Sequence, residues 1–460
     1  MATEKKHITK AMRRIWGIGI FGEGVNMTPA QMYGTYFLTD IALVPSALLA
    51  TTTMITSVLM FVLTPLGGWL IDGTKPMRWG KLRSWLLVGS VISFIFSPVP
   101  FIYWGSPAAT AITICVLGLI SSTFYTTQVT ATFSLVPSMC AYDDEASHLA
   151  SNQMTGNKIG TMFAGFIVPL VMTPLLLSTG NMAYIIIAMA CNAVMFITYM
   201  VHFKLADGFE GNGKVGKVAE ERLSFKDMAI ACAAVPEIIP LIIADITSTL
   251  GAFLLPGLVV YMYRYVIMDG TQMGMMAVHN LAIGFAGMIG SYTARWWMKK
   301  IPDRRKVIYI LYPFIAIFMF SCRFFTQNVF MFIFTVSLTM LFQGTTQPVE
   351  NTLYYDIGVI AQDRMGKDPT ATFISLAQLA PRVAGIIRGV VISVLFVSLN
   401  YDATQPMTEA IKGGFVNAFS LVNCVIPIVG WLGMLIFYKV TPQRVEAARA
   451  SLAAKAGETV

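Results

Sequence analysis

The sequence predicts an all-α polytopic membrane protein, and three observations carry that expectation. Charged residues make up 12% of the 460 and hydrophobic ones 56%, which is about half the charge that keeps a water-facing surface solvated. Apolar runs long enough to cross a hydrocarbon core about 30 Å thick recur along the chain, separated by short polar breaks. The basic residues lie in islands between those runs, so the surplus of eight positive charges points to membrane topology rather than to nucleic acid.

Twelve spans fit the runs, near 15–38, 47–71, 84–104, 109–137, 157–178, 182–203, 229–257, 272–295, 307–322, 328–350, 371–399 and 413–438. The ninth is short, and Pro236, Pro240 and Pro256 interrupt the seventh. With this division 27 of the 32 Lys and Arg fall on one side, three on the other, and Arg382 and Arg388 inside a span. The positive-inside rule therefore predicts both termini and the 204–228 linker in the cytoplasm, with a bacterial inner membrane as the expected location. That linker is Gly-rich and charged. It separates an expected N-terminal six-helix bundle (1–203) from a C-terminal one (229–438), followed by a cytoplasmic tail (439–460). Six cysteines sit mostly inside apolar runs with no CxxC spacing, so neither a disulfide framework nor a metal site is expected. The first apolar run continues to about Leu38, with Ala30 inside it, which argues against a cleaved signal peptide.

The most informative short segment runs from Gly67 to Trp85. Asp72 falls at the cytoplasmic end of span 2, where a helix C-terminus disfavours another negative charge, so it needs a basic partner. Lys75, Arg78, Lys81 and Arg83 are the candidates. The pattern reads either as a topology signal with a tight turn or as a charge latch holding one conformation. Its residues Asp72, Thr74, Trp79, Gly80, Lys81, Arg83 and Trp85 resemble the signature between spans 2 and 3 of the major facilitator superfamily. More specifically, they are similar to the glycoside-pentoside-hexuronide:cation symporter family, to which the melibiose permeases belong. Thr39-Asp40, Ser134-Leu135-Val136-Pro137 and Tyr355-Asp356-Ile357-Gly358 extend the resemblance from span 1 to span 10. It implies a major facilitator fold, two six-helix bundles around a central cavity, and cation-coupled sugar transport by alternating access.

The sequence departs from that pattern at the cation site. The two span-2 carboxylates of the melibiose permeases match Thr64 and Met60, the span-4 carboxylate matches Val129, and the sugar-binding acid of span 1 matches Gly24, preceded here by Glu23. A proton is therefore the expected coupling cation rather than sodium.

An ionised group inside the bilayer is costly, so each should face a cavity or a partner. Glu23 lies between two glycines, with Asn26 three residues on near the same face. It reads as a substrate or proton-coupling residue, or as half of a structural ion pair. Arg382 follows Pro381, with Gln378 one turn earlier, and matches a lysine near the bound sugar in the melibiose permeases. Asp245 is the leading acid of the second half, with Glu237 and Glu350 as other in-span acids. Tyr125, Gln128 and Thr132 form a polar stripe in span 4. Phe133 and Gln347 match aromatic cavity positions of the family. Lys158 is a further candidate for an anionic solute. His279 can titrate near neutrality but has no second ligand nearby in sequence.

No phosphate-cradling loop, HExxH or nucleophile elbow is present, so an enzyme is not expected. A channel would want repeated pore motifs, whereas six plus six spans interrupted by Gly and Pro suit a carrier. A monomer in contact with lipid is expected, carrying a small solute: a sugar, glycoside or uronide, or alternatively a carboxylate or sulfonate. No cofactor or metal and no nucleic-acid partner are expected.

Overall fold

The computed structural model describes residues 6–73, 75, 77–212, 232–233, 235–365 and 380–457, without the side chains at 61–62, 64–69, 72, 143–144, 147, 382 and 456–457. Among these residues the structure is helical, with no β-strand beyond one isolated bridge between Met77 and Gly80. The helices are α1 (Lys10–Ile15), α2 (Ile18–Tyr36), α3 (Ser46–Gly73), α4 (Lys81–Phe96), α5 (Pro107–Met139), α6 (Asp143–Thr179) and α7 (Met182–Leu205). They continue as α8 (Ile238–Tyr261), α9 (Met275–Lys300), α10 (Arg304–Ser321), α11 (Val329–Met365), α12 (Ala380–Ser398), α13 (Glu409–Asn417), α14 (Asn423–Phe437) and α15 (Pro442–Gly457). Eight of the described helical segments are long and apolar enough to cross a membrane, with Ser46–Met60 and Val383–Ser398 as shorter apolar stretches.

Local chemistry sets several helix starts. Ser106 accepts a hydrogen bond from the Ala109 N–H and Pro107 occupies the first turn of α5, where its missing N–H costs nothing. Asp303 starts α10 by accepting from the Arg305 N–H, and Thr408 does the same for Ile411 in α13. Two helices outrun their apolar signal: α6 begins at Asp143 instead of 157, and α11 continues to Met365 instead of 350. For the seventh span α8 runs from Ile238, and residues 229–231 and 234 of the expected span lie outside the described residues. Three stretches widen into π-helical turns: Phe37–Ile41 after α2, Met262–Val266 after α8, and Ala418–Val422 before α14.

The chain divides into two compact units. The first comprises Met1–Glu221, Met273–Leu281 and Gly389–Met407; the second comprises Arg222–Gln272, Ala282–Arg388 and Thr408–Val460. In the first, α2 packs against α6 and α7 with no room for side chains at the crossing. A Cβ added to Gly24 would lie 2.8 Å from the Thr161 backbone nitrogen, and one on Gly22 2.8 Å from Met195 Cα. Such approach is what small residues permit between membrane helices, where apolar burial offers no drive against lipid. Trp16, Leu86, Leu135, Met195 and Tyr199 belong to this unit's hydrophobic core. The second unit repeats the device: Gly344 meets the backbone of Gly287 on α9, and a Cβ on Gly430 would lie 3.0 Å from Ala244 Cα. Its core is built from Leu241, Leu311, Ile315, Val349 and Leu353.

Candidate functional site

In the first unit the focal group is the Glu23 carboxylate on α2, 7% exposed. Its Oε1 accepts from the Tyr125 hydroxyl on α5 at 2.8 Å and its Oε2 from the Tyr199 hydroxyl on α7 at 3.3 Å. No Lys, Arg or His pairs with it among the described residues. One turn along α2, Asn26 accepts from the Asn192 amide on α7 at 2.9 Å. This is a carboxylate fixed from two sides by neutral donors, with a second polar pair on the same face.

The second unit holds two acids. Asp245 on α8 accepts from the Tyr354 hydroxyl at 3.3 Å and from the Thr249 side chain. Glu350 on α11 is 1% exposed, and its Oε1 lies 2.5 Å from the Tyr312 hydroxyl. The Tyr312 oxygen is also 3.2 Å from the Ala244 carbonyl. Glu350 Oε2 is buried without a hydrogen-bond partner among the described residues. The two acids lie within electrostatic range of each other. Nearby, the Gln343 amide donates to the Ser248 carbonyl at 2.5 Å.

The other expected residues are dispersed. Gln128 is fully buried and ties α5 to α4: its amide donates to Ser90 at 2.8 Å, and its oxygen accepts from Ser93 at 3.4 Å. It shares a helix with Tyr125 but holds a packing contact. Phe133, Lys158 and Gln347 are exposed, and His279 is buried on α9. The Arg382 side chain and Gln378 lie outside the described residues. Tyr199, Asn192, Tyr312 and Tyr354 are the contacts sequence reasoning missed. A tyrosine in an apolar run is an ordinary packing residue, and only its depth relative to an acid on another helix marks it.

On the expected latch, the Asp72 side chain lies outside the described residues, and Lys75 and Arg78 are exposed. Arg83 is held elsewhere: it donates to Asp207 at 2.5 Å and to the Phe203 carbonyl at 2.6 Å, and its guanidinium lies 4.2 Å from the Phe203 ring centroid. Lys81 contributes its backbone instead. The first N–H groups of α4, at Lys81, Leu82 and Arg83, all donate to the Glu210 carboxylate at 2.8, 2.8 and 3.2 Å. An anion at a helix N-terminus satisfies orphan donors and the dipole together. Gly80 permits this, since its φ is 99° and a Cβ would run into Glu210.

In the second unit one terminal nitrogen of Arg304, at the start of α10, donates to both carboxylate oxygens of Asp356 on α11 at 2.9 and 2.8 Å, with Arg449 of α15 at 3.8 Å. Arg444 pairs with Glu237 at 2.8 Å, and Lys455 with Asp363 at 2.7 Å. Glu237 thus stands in an ion pair at the helix start. The expected tail is a helix fastened to α11.

A family model described as MFS/sugar transport protein matches residues 15–442, nearly the whole chain. The chain belongs to that family. Over 449 residues it is 23% identical to YagG of Escherichia coli, a protein named for glycoside/cation symport, covering 94% of this chain and 92% of that one. The crystal structure of a D-xylose-proton symporter superimposes with a TM-score of 0.65 at 12% identity, over 94% of this chain and 98% of that one. The nucleoside transporter NupG gives 0.62 at 11% identity, over 93% and 99%. At such identities these two structures establish the major facilitator fold. The protein is an integral, multi-pass membrane transporter of the secondary active class.

Proposed function

We propose that this protein is a proton-coupled symporter of the bacterial inner membrane for a sugar, glycoside or uronide, of the glycoside-pentoside-hexuronide:cation type. The observation that carries the reading is Glu23, a membrane-embedded carboxylate held by the hydroxyls of Tyr125 and Tyr199 with Asn26 alongside. Carboxylates and amides that can exchange partners are the groups that bind sugar hydroxyls. Substrate contacts are assigned to Glu23, Asn26 and Asp245, with Arg382, Gln378, Lys158, Gln128, Phe133 and Gln347 as the remaining candidates. Proton coupling is assigned among Glu23, Asp245 and His279. The Asp72 latch, with Lys75, Arg78, Lys81 and Arg83, stands as a proposal in which Asp207 competes for Arg83.

A thermal-shift screen of the purified protein over neutral glycosides, uronates, sulfonated sugars and small carboxylates tests the class. Stabilisation by glycosides or uronates is expected; stabilisation only by non-sugar anions overturns it. The name carried by YagG supports the sugar reading, whereas Arg382 within a span favours an anionic solute. Arg382→Lys separates the two, because lysine keeps the charge and loses the planar fork. For an anion the substitution is expected to cost about 2–5 kcal/mol, or roughly 30- to 5,000-fold in affinity by titration calorimetry. A tight-binding neutral sugar that is little affected by the substitution excludes the clamp.

A further inference from the structure

We infer that Asp245 and Glu350 form a single-proton site in the second unit, with the proton on Glu350 and the charge on Asp245. This rests on the reading of the chain as a proton-coupled carrier.

Hydrogen-bond accounting assigns the proton. The Tyr312 hydroxyl has one proton, and its oxygen lies 2.5 Å from Glu350 Oε1 and 3.2 Å from the Ala244 carbonyl, with the Ser248 side chain as a third hydrogen-bond partner. With Glu350 ionised, Tyr312 donates to Oε1 and the Ala244 carbonyl is still served by Thr247, but Oε2 stays bare, a charged oxygen buried without a partner among the described residues. With Glu350 protonated on Oε1, its O–H donates to the Tyr312 oxygen and Tyr312 donates onward to Ala244. The bare Oε2 then belongs to a neutral acid, which costs far less to bury. Asp245 is the better site for charge, because Tyr354 and Thr249 both serve it.

No positive group offers to neutralise the pair among the described residues. From α10 it meets Tyr312, and from α11 Tyr354. The helix packed along α8 is α14, which carries no charged residue and only Cys424 as a titratable one. α9 faces α11 through Gly287, Gly290, Ser291 and Thr293, none of which titrates in this range. On α15, Arg444 and Arg449 are spent on Glu237 and Asp356. A proton is therefore the smallest addition that makes two close acids tolerable inside the bilayer.

Infrared difference spectroscopy of the protein in lipid, over a pH titration with no solute present, reads the carboxylic-acid carbonyl band. One buried acid band is expected at neutral pH, absent in Glu350→Gln and retained in Glu23→Gln. A wild-type spectrum lacking it, a band surviving Glu350→Gln, or a band abolished by sodium in place of choline overturns the site.

A transport arm uses radiolabelled methyl β-D-xyloside and D-glucuronate in proteoliposomes clamped at zero potential. One proton per neutral solute supports at most about tenfold accumulation per unit of pH gradient. Glu350→Gln is expected to abolish that accumulation and to leave counterflow within about twofold of wild type, since exchange needs no net proton movement. Accumulation persisting in Glu350→Gln overturns the site. Absence of counterflow for both probes in wild type would instead sink the sugar and uronide reading, with the infrared result still deciding the proton site.

Discussion

The two units hold buried carboxylates in opposite ways. Glu23 has a tyrosine hydroxyl on each oxygen, and its helix neighbours are glycines that bring α6 and α7 close. Glu350 has one ambiguous tyrosine contact, a bare oxygen and a second acid nearby. The first arrangement is closed with respect to hydrogen bonds, so a ligand there has to exchange with an existing donor. The second is incomplete, and completing it takes a proton. A carrier needs both behaviours, one group to recognise a solute and one whose charge state changes.

The sharpest way to break this comparison is truncation. Glu23→Ala removes the acceptor of two tyrosine hydroxyls, half-buried Tyr125 and buried Tyr199, of which Tyr199 keeps a Thr132 contact, so a fall of roughly 2–4 kcal/mol in stability is expected by denaturation in micelles. Glu350→Gln keeps a neutral group and is expected to stay within about 1 kcal/mol of wild type. Equal losses would erase the distinction between the sites. Next in size is Tyr125→Phe, which removes a hydrogen bond to the Glu23 carboxyl and is expected to cost about 1–2 kcal/mol; Tyr199→Phe, at the longer contact, is expected to cost less.

Smaller effects belong to the ion pairs at the helix ends. Arg304→Ala removes the one nitrogen shared between both oxygens of partly buried Asp356 and is expected to cost about 1.5 kcal/mol. Asp207→Ala frees Arg83 from an exposed partner and should cost under about 1 kcal/mol. A reversed order would mean that the linker's hold on Arg83 is a stronger brace than the contact between α10 and α11.

The smallest is a pH effect at Asp303. Partial burial opposes its ionisation, but the Arg305 hydrogen bond and charge outweigh it and hold its carboxyl below the ordinary range. A depressed folded value stabilises above the unfolded carboxylate range and is lost as pH falls through it. Melting curves at about pH 6 and about pH 3 should differ less in Asp303→Asn than in wild type.

Much of the fold was legible. The described parts of all twelve expected spans are mainly helical, and eight of them lie in segments long and apolar enough to cross a membrane, a pattern with few other uses. The overruns of α6 and α11 were not legible, since hydropathy registers contact with lipid and these helices continue into polar sequence. Tail helix α15 was missed for the same reason: its stability comes from ion pairs with Glu237, Asp356 and Asp363, far away in sequence. Within the site, Glu23 and Asp245 announced themselves as charges in apolar runs. Their tyrosine partners did not. Glu210 was invisible because its role depends on reaching the N–H groups of α4, some 128 residues earlier.

The π-helical turns at Phe37–Ile41 and Met262–Val266 give the paths of α2 and α8 one residue more than an α-helical path needs. An extra residue rotates the downstream chain by about 100° relative to the helix upstream of it. A relative without that residue would therefore align with a one-position gap at the end of the span. The loops beyond would face a different direction even where every polar position before the turn still matched. Such a turn is a joint at which the far end of a membrane helix can be re-aimed by a single insertion or deletion, leaving Glu23 or Asp245 where it was.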